Sequence, residues 1–423
     1  MTQAPGGSLW EASARERFEG VPVGTGSVDL AIIGGGFTGC AAALQAARQG
    51  ASVTVFEAET VGHGGSGRNV GLVNAGLWLP PDAVEGRLGQ AAGARLNTAL
   101  AAGPGLVFDL VRRHEIACDA VQAGTLHCAH ADSALADLQE RQRQQAARNA
   151  PVRLLTGPET ARSIGSNAFA GALHDKRAGT VHPLSYVRGL ARAASEAGAR
   201  IHERSPVRRL RHEGGSWQIE TDDGALRARR VLVATNAYHR EVAGLAMPKL
   251  AGVHYFQIAT VPLPEHLRDT ILPGGEGCWD TGLVMSSFRL DAKGRFIYGG
   301  MGNTDWPGAS VHLAWARRSI ARRFPQLGDM PWVHAWCGRI AMSRDYIPKA
   351  VAIGPGAMAI FGYSGRGIAP GTVLGRDAAK ALLADDPDRL SLPLEQGYHD
   401  PWAGLRTIYY ETGARLNHAV RRS

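Results

Sequence analysis

The sequence predicts an α/β protein of two interleaved domains: a Rossmann-like dinucleotide-binding domain and an antiparallel-sheet substrate domain. Three observations predict it. An apolar run, Val28 to Ile33, opens directly onto Gly34-x-Gly36-x-x-Gly39. A second buried-strand pattern, VLVAT ending at Ala234 and Thr235, returns to the same kind of layer well over a hundred residues later. From about 250 to 330 the pattern changes to long alternating strands rich in aromatics, HYFQIATVPL, TGLVMSSFRLD and RFIYGGMG, as an antiparallel sheet requires.

The first of these is a complete βαβ unit. Strand 28–33 feeds a turn in which Gly34 supplies the tight bend and Gly36 admits a pyrophosphate to the backbone. Gly39 lets the helix lie close to the sheet, and the first helical turn, Phe37 and Thr38 included, presents its free N–H groups to phosphate charge. A small-residue helix reaches Gly50, and a β-branched run follows that ends on Glu57. Glu57 stands near the offset of about 20 residues at which a carboxylate accepts the ribose hydroxyls of an adenosine.

Composition narrows the class. The 423 residues suffice for two domains, and 44% hydrophobic with 20% charged residues is ordinary for a globular chain. No apolar stretch approaches the length of a membrane span, and the first twenty residues lack the basic-then-apolar order of a signal peptide, so a cytoplasmic location is expected. The net charge of +8 is spread over single and paired basic residues, such as Arg112-Arg113 and Arg322-Arg323, which argues against a nucleic-acid surface. The five cysteines form no CxxC pair, and His127-Cys128-x-His130 offers too few ligands for a closed metal site, so neither disulfides nor a metal are expected.

The remaining elements follow in order. A Gly-rich loop from Gly62 to Gly71 can fold around a flat ligand. Residues 90–113 and 132–148 read as scaffold helices. A helix starts at Leu184 and ends at Gly198, and a β-meander turns at Gly214-Gly215 and Asp223-Gly224 before VLVAT. Near the end, AMAIFGY runs into SGRGIAPG and a helix expected to start near Gly371, a second strand, Gly-rich turn and helix. The segmentation is therefore 28–85, 151–245 and 331–390 for the nucleotide domain, 86–150 and 246–330 for the substrate domain, and 391–423 for a helical tail. In that tail Trp402, Leu405, Ile408, Tyr409 and Leu416 recur at near-helical spacing, with Arg406, Arg415, Arg421 and Arg422 among them, and packing against the chain's own body is expected over a membrane surface.

Together IIGGGFTG with Glu57, GHGGSGRNVGLVNAGLW, GTVHPLSYVRGLARAA, VLVATNAY, FRLDAKGRFIYGG and GYSGRGIAPGTVLGR resemble the FAD-dependent D-amino-acid oxidase superfamily over nearly the whole chain. GGSGRNVGLVNAGLW with GTLH, AGTVHP and YYETG looks most like bacterial L-pipecolate oxidases, with γ-glutamylputrescine oxidases the nearest other branch. The resemblance implies an FAD domain of glutathione-reductase type. It assigns Gly34, Gly36, Phe37, Thr38 and Gly39 to the pyrophosphate and Glu57 to the adenosine ribose. Ser66, Gly67, Arg68 and Asn69 would follow the pyrophosphate, ribityl and ring edge of the flavin. Val207 would bracket adenine, Ala234 and Thr235 would close over the ADP half, and Gly365, Arg366, Gly367 and Ile368 would meet the pyrimidine end of the flavin.

Departures from the family pattern carry expectations of their own. Sarcosine-oxidase relatives link the flavin to a cysteine in the stretch matching WCGRIAMSRD, but their cysteine falls on Gly338 here, one residue from Cys337, so non-covalent FAD is expected. The lysine that serves oxygen activation in those relatives has no counterpart in RFIYGGMG, and their substrate-binding lysine is matched by Ala369.

The chemistry so implied is oxidation of the C–N bond of a secondary amine or amino acid, foremost L-pipecolate or a related cyclic amino acid, to the imine. The electrons would go to dioxygen to give hydrogen peroxide, or to a quinone. Hydride transfer demands orientation and water exclusion more than a strong base, so no Ser/His/Asp or paired-carboxylate signature is needed. A substrate carboxylate calls for a forked cation, for which Arg289, Arg339 and Arg366 are the candidates. Tyr255 and Trp336, with Phe256, Trp279 and Tyr363, are candidate apolar walls, and His63 and His254 could orient an amine. The rival readings are a γ-glutamylputrescine or other N-substituted amino-acid oxidase, an NAD-dependent dehydrogenase, and a dinucleotide-binding sensor without catalysis. The SGRN loop and the late GYSGRG turn oppose the NAD reading, and a sensor has no need of an open ring face.

Overall fold

A computed structural model describes residues 7–305 and 308–420, so Arg421 and Arg422 lie outside the described residues. Two sheets organise the chain. The first has nine strands, running Leu394–Glu395, Lys349–Gly354, Ala357–Phe361, Gly224–Val233, Ser27–Ile33, Val53–Phe56 and Arg200–His202 across its width. Val207–Glu213 and Ser216–Thr221 extend from Gly224–Val233 as the expected meander. The centre of this sheet is parallel, because helices return the chain between Ser27–Ile33 and its neighbours on either side. Its strands read as unbroken apolar runs, VTVF and AMAIF among them, since both faces are covered.

The second sheet has eight strands, ordered Trp332–Met342, Ala251–Pro262, Arg295–Met301, Ser286–Leu290, Gly277–Asp280, Thr125–Ala129, Gly171–Asp175 and Val152–Thr156. It is antiparallel except where Gly277–Asp280 lies parallel to Thr125–Ala129. Alternation sorts its faces: Phe256, Ile258, Phe288 and Tyr298 enter a core shared with Trp315 and Phe324, while Val253, Tyr255, Gln257 and Ser287 face a large cavity toward the nucleotide sheet.

The segmentation read from sequence needs correction in three places. Strands 152–156, 171–175 and 332–342, assigned to the nucleotide domain, belong to the eight-stranded sheet. Helix Gly103–Arg113, assigned to the substrate domain, buries Val107 and Phe108 in the core of the nucleotide domain. Leu394–Glu395, assigned to the tail, pairs with the nucleotide sheet at Ala350 and Val351. Alternation identifies a strand but not its partner, and each misassigned segment is held by a partner distant in sequence.

The nucleotide domain depends on one close helix pair. Helix Phe37–Arg48 packs against Ile368–Ala384, and a β-carbon at Gly375 would stand 2.2 Å from the Thr38 carbonyl oxygen. At the start of the first helix a β-carbon on Gly39 would lie 1.9 Å from the Gly34 carbonyl oxygen. Gly34 itself has φ +112, which suits glycine alone. The last described helix, Ala403–Val420, docks through Ala403, Ala414 and His418. Thr407 Oγ1 accepts from Gly252 N at 2.8 Å, Glu411 accepts from His254 N at 2.9 Å, and His418 meets His312. The expected packing of its apolar stripe is overturned: Trp402, Leu405, Ile408, Tyr409 and Leu416 all face outward, because polar bonds and small residues form the docking face.

Replacing Gly375 with valine is expected to force the two helices apart and lower stability by at least about 1–3 kcal/mol, the usual cost of overpacking, read from the urea midpoint together with loss of bound flavin.

Candidate active site

A cavity of about 820 Å³ separates the two sheets. One end is lined by Glu57, Val207, Ala234 and Thr235, the middle by Gly34, Gly36, Thr38, Ser66, Arg68 and Asn69, and the far end by Trp78, His127, Tyr255, Gln257, Trp279 and Arg366. The mouth reaches Tyr409 and Tyr410 of the last helix.

Two helix N-termini open on it. Helix 37–48 starts from Gly36 and helix 368–384 from Gly367, and neither has a side-chain cap of its own. Apart from Phe37 N, which donates to Ser66 Oγ, their first N–H groups are therefore directed at whatever fills the cavity, which favours anionic charge. Helix 368–384 starts three residues before the expected Gly371, so Gly367, Ile368 and Ala369 line the cavity as its first turn. Gly365, at φ +94, brings the chain within 3.2 Å of the Trp78 indole nitrogen, measured from an ideal β-carbon.

The nucleotide end is pre-formed by the backbone. Glu57 Oε2 accepts from Gly35 N at 2.6 Å and Oε1 from Glu59 N at 3.0 Å, which fixes the carboxylate beside the Gly-rich turn. Burial raises its pKa, opposed by those two backbone N–H donors. The Gly-rich loop folds as the short helix Gly65–Arg68, and Ser66 Oγ accepts from Phe37 N at 3.0 Å, tying the loop to the start of helix 37–48. Gly67, within this turn, has no space for a side chain, since a β-carbon would stand 2.3 Å from the Gly62 carbonyl oxygen. Asn69 donates to Gly65 and Ser66 carbonyls and accepts from Gly71 N, so its amide shapes the loop from within.

The three candidate arginines have three different placements. Arg366 is buried between the rings of Trp78 and Trp279, at 5.1 and 4.6 Å from their centroids, and Nη1 donates to Ala75 O at 3.0 Å. No carboxylate of the described residues pairs with it, and its Nε is buried without a partner. Burial, then the like charge of Arg141, pushes its pKa down to about 9. Arg339 belongs to the nucleotide half: it lies over the Tyr238 ring and donates to the Ala237 carbonyl. Arg289 does not line this cavity at all. It lies on the same strand face as Ser287 but one pleat further on, covered by the main chain at Gly71 and Val181, to whose carbonyls it donates at 3.3 and 2.7 Å.

The candidate aromatics divide in the same way. Tyr255 lines the cavity and donates to Ser287 Oγ at 3.0 Å, and Trp279 stacks on His127 with centroids 3.3 Å apart. Tyr363 lines it too, its hydroxyl 2.6 Å from Thr38 Oγ1. Phe256 faces the core of the eight-stranded sheet, and Trp336 is a bracket rather than a wall, its Nε1 donating to the Arg68 carbonyl at 3.0 Å. His63 lines the cavity, whereas His254 is taken by Glu411 at 2.9 Å. Cys337 points into the sheet core and Gly338 toward the cavity, so no thiol faces the ligand at that register.

Several lining residues escaped the sequence reading. Gln257 is buried with Oε1 unpartnered, and its amide lies over Gly299, where any β-carbon would come within 2.3 Å. The signal was present, a glutamine set between Phe256 and Ile258 in the strand HYFQIATV. Arg141, which donates to the Trp78 carbonyl at 2.8 Å and pairs with Asp137, carried no such signal. Among the described residues no group of His, Cys, Asp and Glu could hold a metal ion, and no helix is long and apolar enough to cross a membrane.

A family model described as FAD dependent oxidoreductase matches residues 29–381. The chain is 33% identical over 387 residues to the probable oxidoreductase OrdL of Rhizobium meliloti (strain 1021), covering 90% of this chain and 89% of that protein. It is 30% identical over 393 residues to the γ-glutamylputrescine oxidoreductase of Escherichia coli (strain K12), covering 90% and 89%. Among solved structures, glycine oxidase from Geobacillus kaustophilus superposes with TM-score 0.69 at 21% identity over 85% of this chain and 95% of that one. L-proline dehydrogenase from P. horikoshii superposes with TM-score 0.68 at 19% identity over 86% and 95%.

His127 gives the wall a pH signature. Burial holds its pKa well below the ordinary value, so above about pH 6.5 the ring is neutral in both folded and unfolded chains. As pH falls through 6.5 the unfolded chain gains the proton first, and stability declines. His127→Phe is expected to make the decline between pH 7 and 5 shallower by up to about 1.4 kcal/mol per pH unit, measured from urea midpoints.

Proposed function

The chain belongs to the family of FAD-dependent oxidoreductases, and from that premise we propose that it oxidises the C–N bond of an amino acid whose carboxylate is received by Arg366. The observation that carries this reading is the buried guanidinium between Trp78 and Trp279 with no carboxylate partner among the described residues. A desolvated, uncompensated cation is costly, and an anionic substrate group removes the cost on binding. Its planar fork suits a carboxylate, and the two indole rings fix its plane.

The cavity fits the cofactor. The two helix starts at Gly36 and Gly367, the glycine cradle at Gly34, Gly36 and Gly39, and Glu57 would hold the ADP half, with Val207, Ala234 and Thr235 beside them. Ser66, Gly67, Arg68 and Asn69 would follow the chain to the ring, and Gly365, Gly367 and Ile368 would meet its pyrimidine edge. FAD held there would supply the hydride acceptor, with dioxygen as the electron acceptor of the proposed oxidase reaction.

The chain's own residues do the rest. Arg366 anchors the carboxylate, and the unpartnered Gln257 Oε1 is an acceptor for the substrate N–H. Tyr255, Trp279 and Trp78 exclude water and confine the carbon to be oxidised. His127, neutral at physiological pH, stiffens Trp279 by stacking. A cyclic secondary amino acid such as L-pipecolate presents a carboxylate for Arg366 and a ring amine beside it for the wall that carries Gln257. The second reading, a γ-glutamyl polyamine or other N-substituted amino acid, is favoured by the 30% identity to the γ-glutamylputrescine oxidoreductase.

Anaerobic mixing with a substrate panel separates the two: bleaching of the flavin band by L-pipecolate and not by γ-glutamylputrescine is expected, and the converse pattern selects the second reading. Arg366→Met is expected to raise KM for the substrate at least 100-fold, with Arg366→Lys intermediate because it restores charge without the fork. Acid precipitation of the yellow holoenzyme is expected to leave all flavin in the supernatant, since Cys337 faces away from the cavity; flavin in the pellet overturns non-covalent binding.

A further inference from the structure

The loop carrying Arg68 to Gly71 is held from behind, carbonyl by carbonyl. Trp336 Nε1 donates to Arg68 O at 3.0 Å and Trp10 Nε1 to Asn69 O at 2.8 Å. Arg289 Nη1 is shared between Val70 O and Gly71 O at 3.5 and 3.3 Å. Four consecutive carbonyls thus have side-chain donors on the far side, while Arg68, Asn69 and Val70 line the main cavity on the near side. Arg289 is therefore a link between the cofactor loop and whatever lies behind it.

Behind it is a second cavity of about 400 Å³, walled by Trp10, Ser13, His182, Arg289, Lys293 and Arg295, with Arg15, Asp119 and Asp291 completing it. The carboxylates are already committed. Asp119 pairs with Arg15 at 3.3 Å, and Asp291 pairs with Arg295 at 3.0 Å while accepting from Lys293 N and Arg295 N. Two cations are left over. Among the described residues no carboxylate pairs with Arg289, which is buried, or with Lys293, which stands exposed at the rim. Arg295 adds a buried Nε without a partner. Burial pushes the Arg289 pKa down to about 10, although the charges of Asp291 and Asp119 across the cavity oppose the fall.

We propose that this second cavity binds a compact oxyanion between Arg289 and Lys293, and that its occupancy reaches the cofactor loop through the hydrogen bonds of Arg289 to Val70 and Gly71. Arg289 Nε donates to Leu290 O at 3.1 Å and Nη1 to the loop carbonyls, so Nη2 and the exposed Lys293 ammonium are the donors for phosphate or a short dicarboxylate, which share two or more negatively charged oxygens. An anion here competes with the loop carbonyls for the guanidinium, so binding alters the field and position of the loop along the flavin. The site is independent of the amine substrate, and its test uses none.

The experiment takes the FAD-loaded protein, in which the pyrophosphate site is filled, and titrates inorganic phosphate against sodium chloride at constant ionic strength. Equilibrium dialysis with labelled phosphate is expected to show one saturable site per chain, with a saturable shift of the visible flavin bands over the same range. Lys293→Glu, an exposed turn substitution, is expected to weaken uptake at least tenfold while leaving the spectrum of the anion-free holoenzyme unchanged, and Lys293→Gln to fall between. Malonate displacing the label identifies a dicarboxylate as an equally good occupant; failure to displace it restricts the site to phosphate, and both support the proposal. Absence of saturable uptake, or uptake that Lys293→Glu leaves untouched, overturns the site. Uptake without a band shift overturns its coupling to the cofactor loop.

Discussion

The close approach of helix 37–48 to helix 368–384 is the constraint from which the rest follows. The absence of β-carbons at Gly39 and Gly375 lets the first helix lie against its own turn and against its partner. Both helices then start at the cavity from glycines that offer no cap of their own, and their combined N-terminal charge makes the space between the sheets a place for anions. Glu57 and Ser66 complete the arrangement by tying the second strand and the Gly-rich loop to the same turn. The antiparallel sheet contributes the opposite wall, and what it contributes is set by alternation, with Tyr255 and Gln257 inward and Phe256 and Ile258 away.

Much of this was legible in the chain. The βαβ unit, the meander turns, the returning VLVAT strand and the late Gly-rich turn are local signals, because each depends on glycine geometry or on unbroken apolar runs. Domain membership was less legible. Strand 332–342 runs directly into the nucleotide-sheet strands Lys349–Gly354 and Ala357–Phe361 in sequence, yet ten of its residues pair with Ala251–Thr260 in the other sheet. The arginines show the same limit at the level of a side chain. Arg289, Arg339 and Arg366 look alike on paper, but one pleat carries Arg289 past the wall that Ser287 forms and into a backbone clamp, while Arg366 meets the cavity from a turn. Arg141 was invisible for a related reason: it approaches Trp78 from a helix whose sequence is that of a solvated scaffold. Gln257 could have been found, since a polar residue within an apolar strand asks for a partner.

The two buried arginines without carboxylates make a contrast of means. Arg366 spends its donors sparingly, one on Ala75 O, and keeps the rest of its charge facing the cavity. Arg289 commits several to main-chain carbonyls and so acts as a structural tie. Burial depresses both pKa values, to about 9 and about 10, and both remain cations at neutral pH. Placement, and not acidity, separates them: Arg366 stands on the main cavity in the turn before helix 368–384, and Arg289 stands on a strand behind the cofactor loop, facing the second cavity.

The cavity is assembled from residues that span Ile33 to Asn417. A nascent chain leaving the ribosome therefore exposes its glycine turn long before the helix that completes the cradle has been made. Strand Ser27–Ile33 waits nearly two hundred residues for its neighbour Gly224–Val233, and that strand waits again for Ala357–Phe361. Loop closure over such distances is slow and leaves sheet edges open to association while translation proceeds. Cofactor capture accordingly has to wait until helix Ile368–Ala384 has been made and docked, so the open sheet edges must be protected by other means until then.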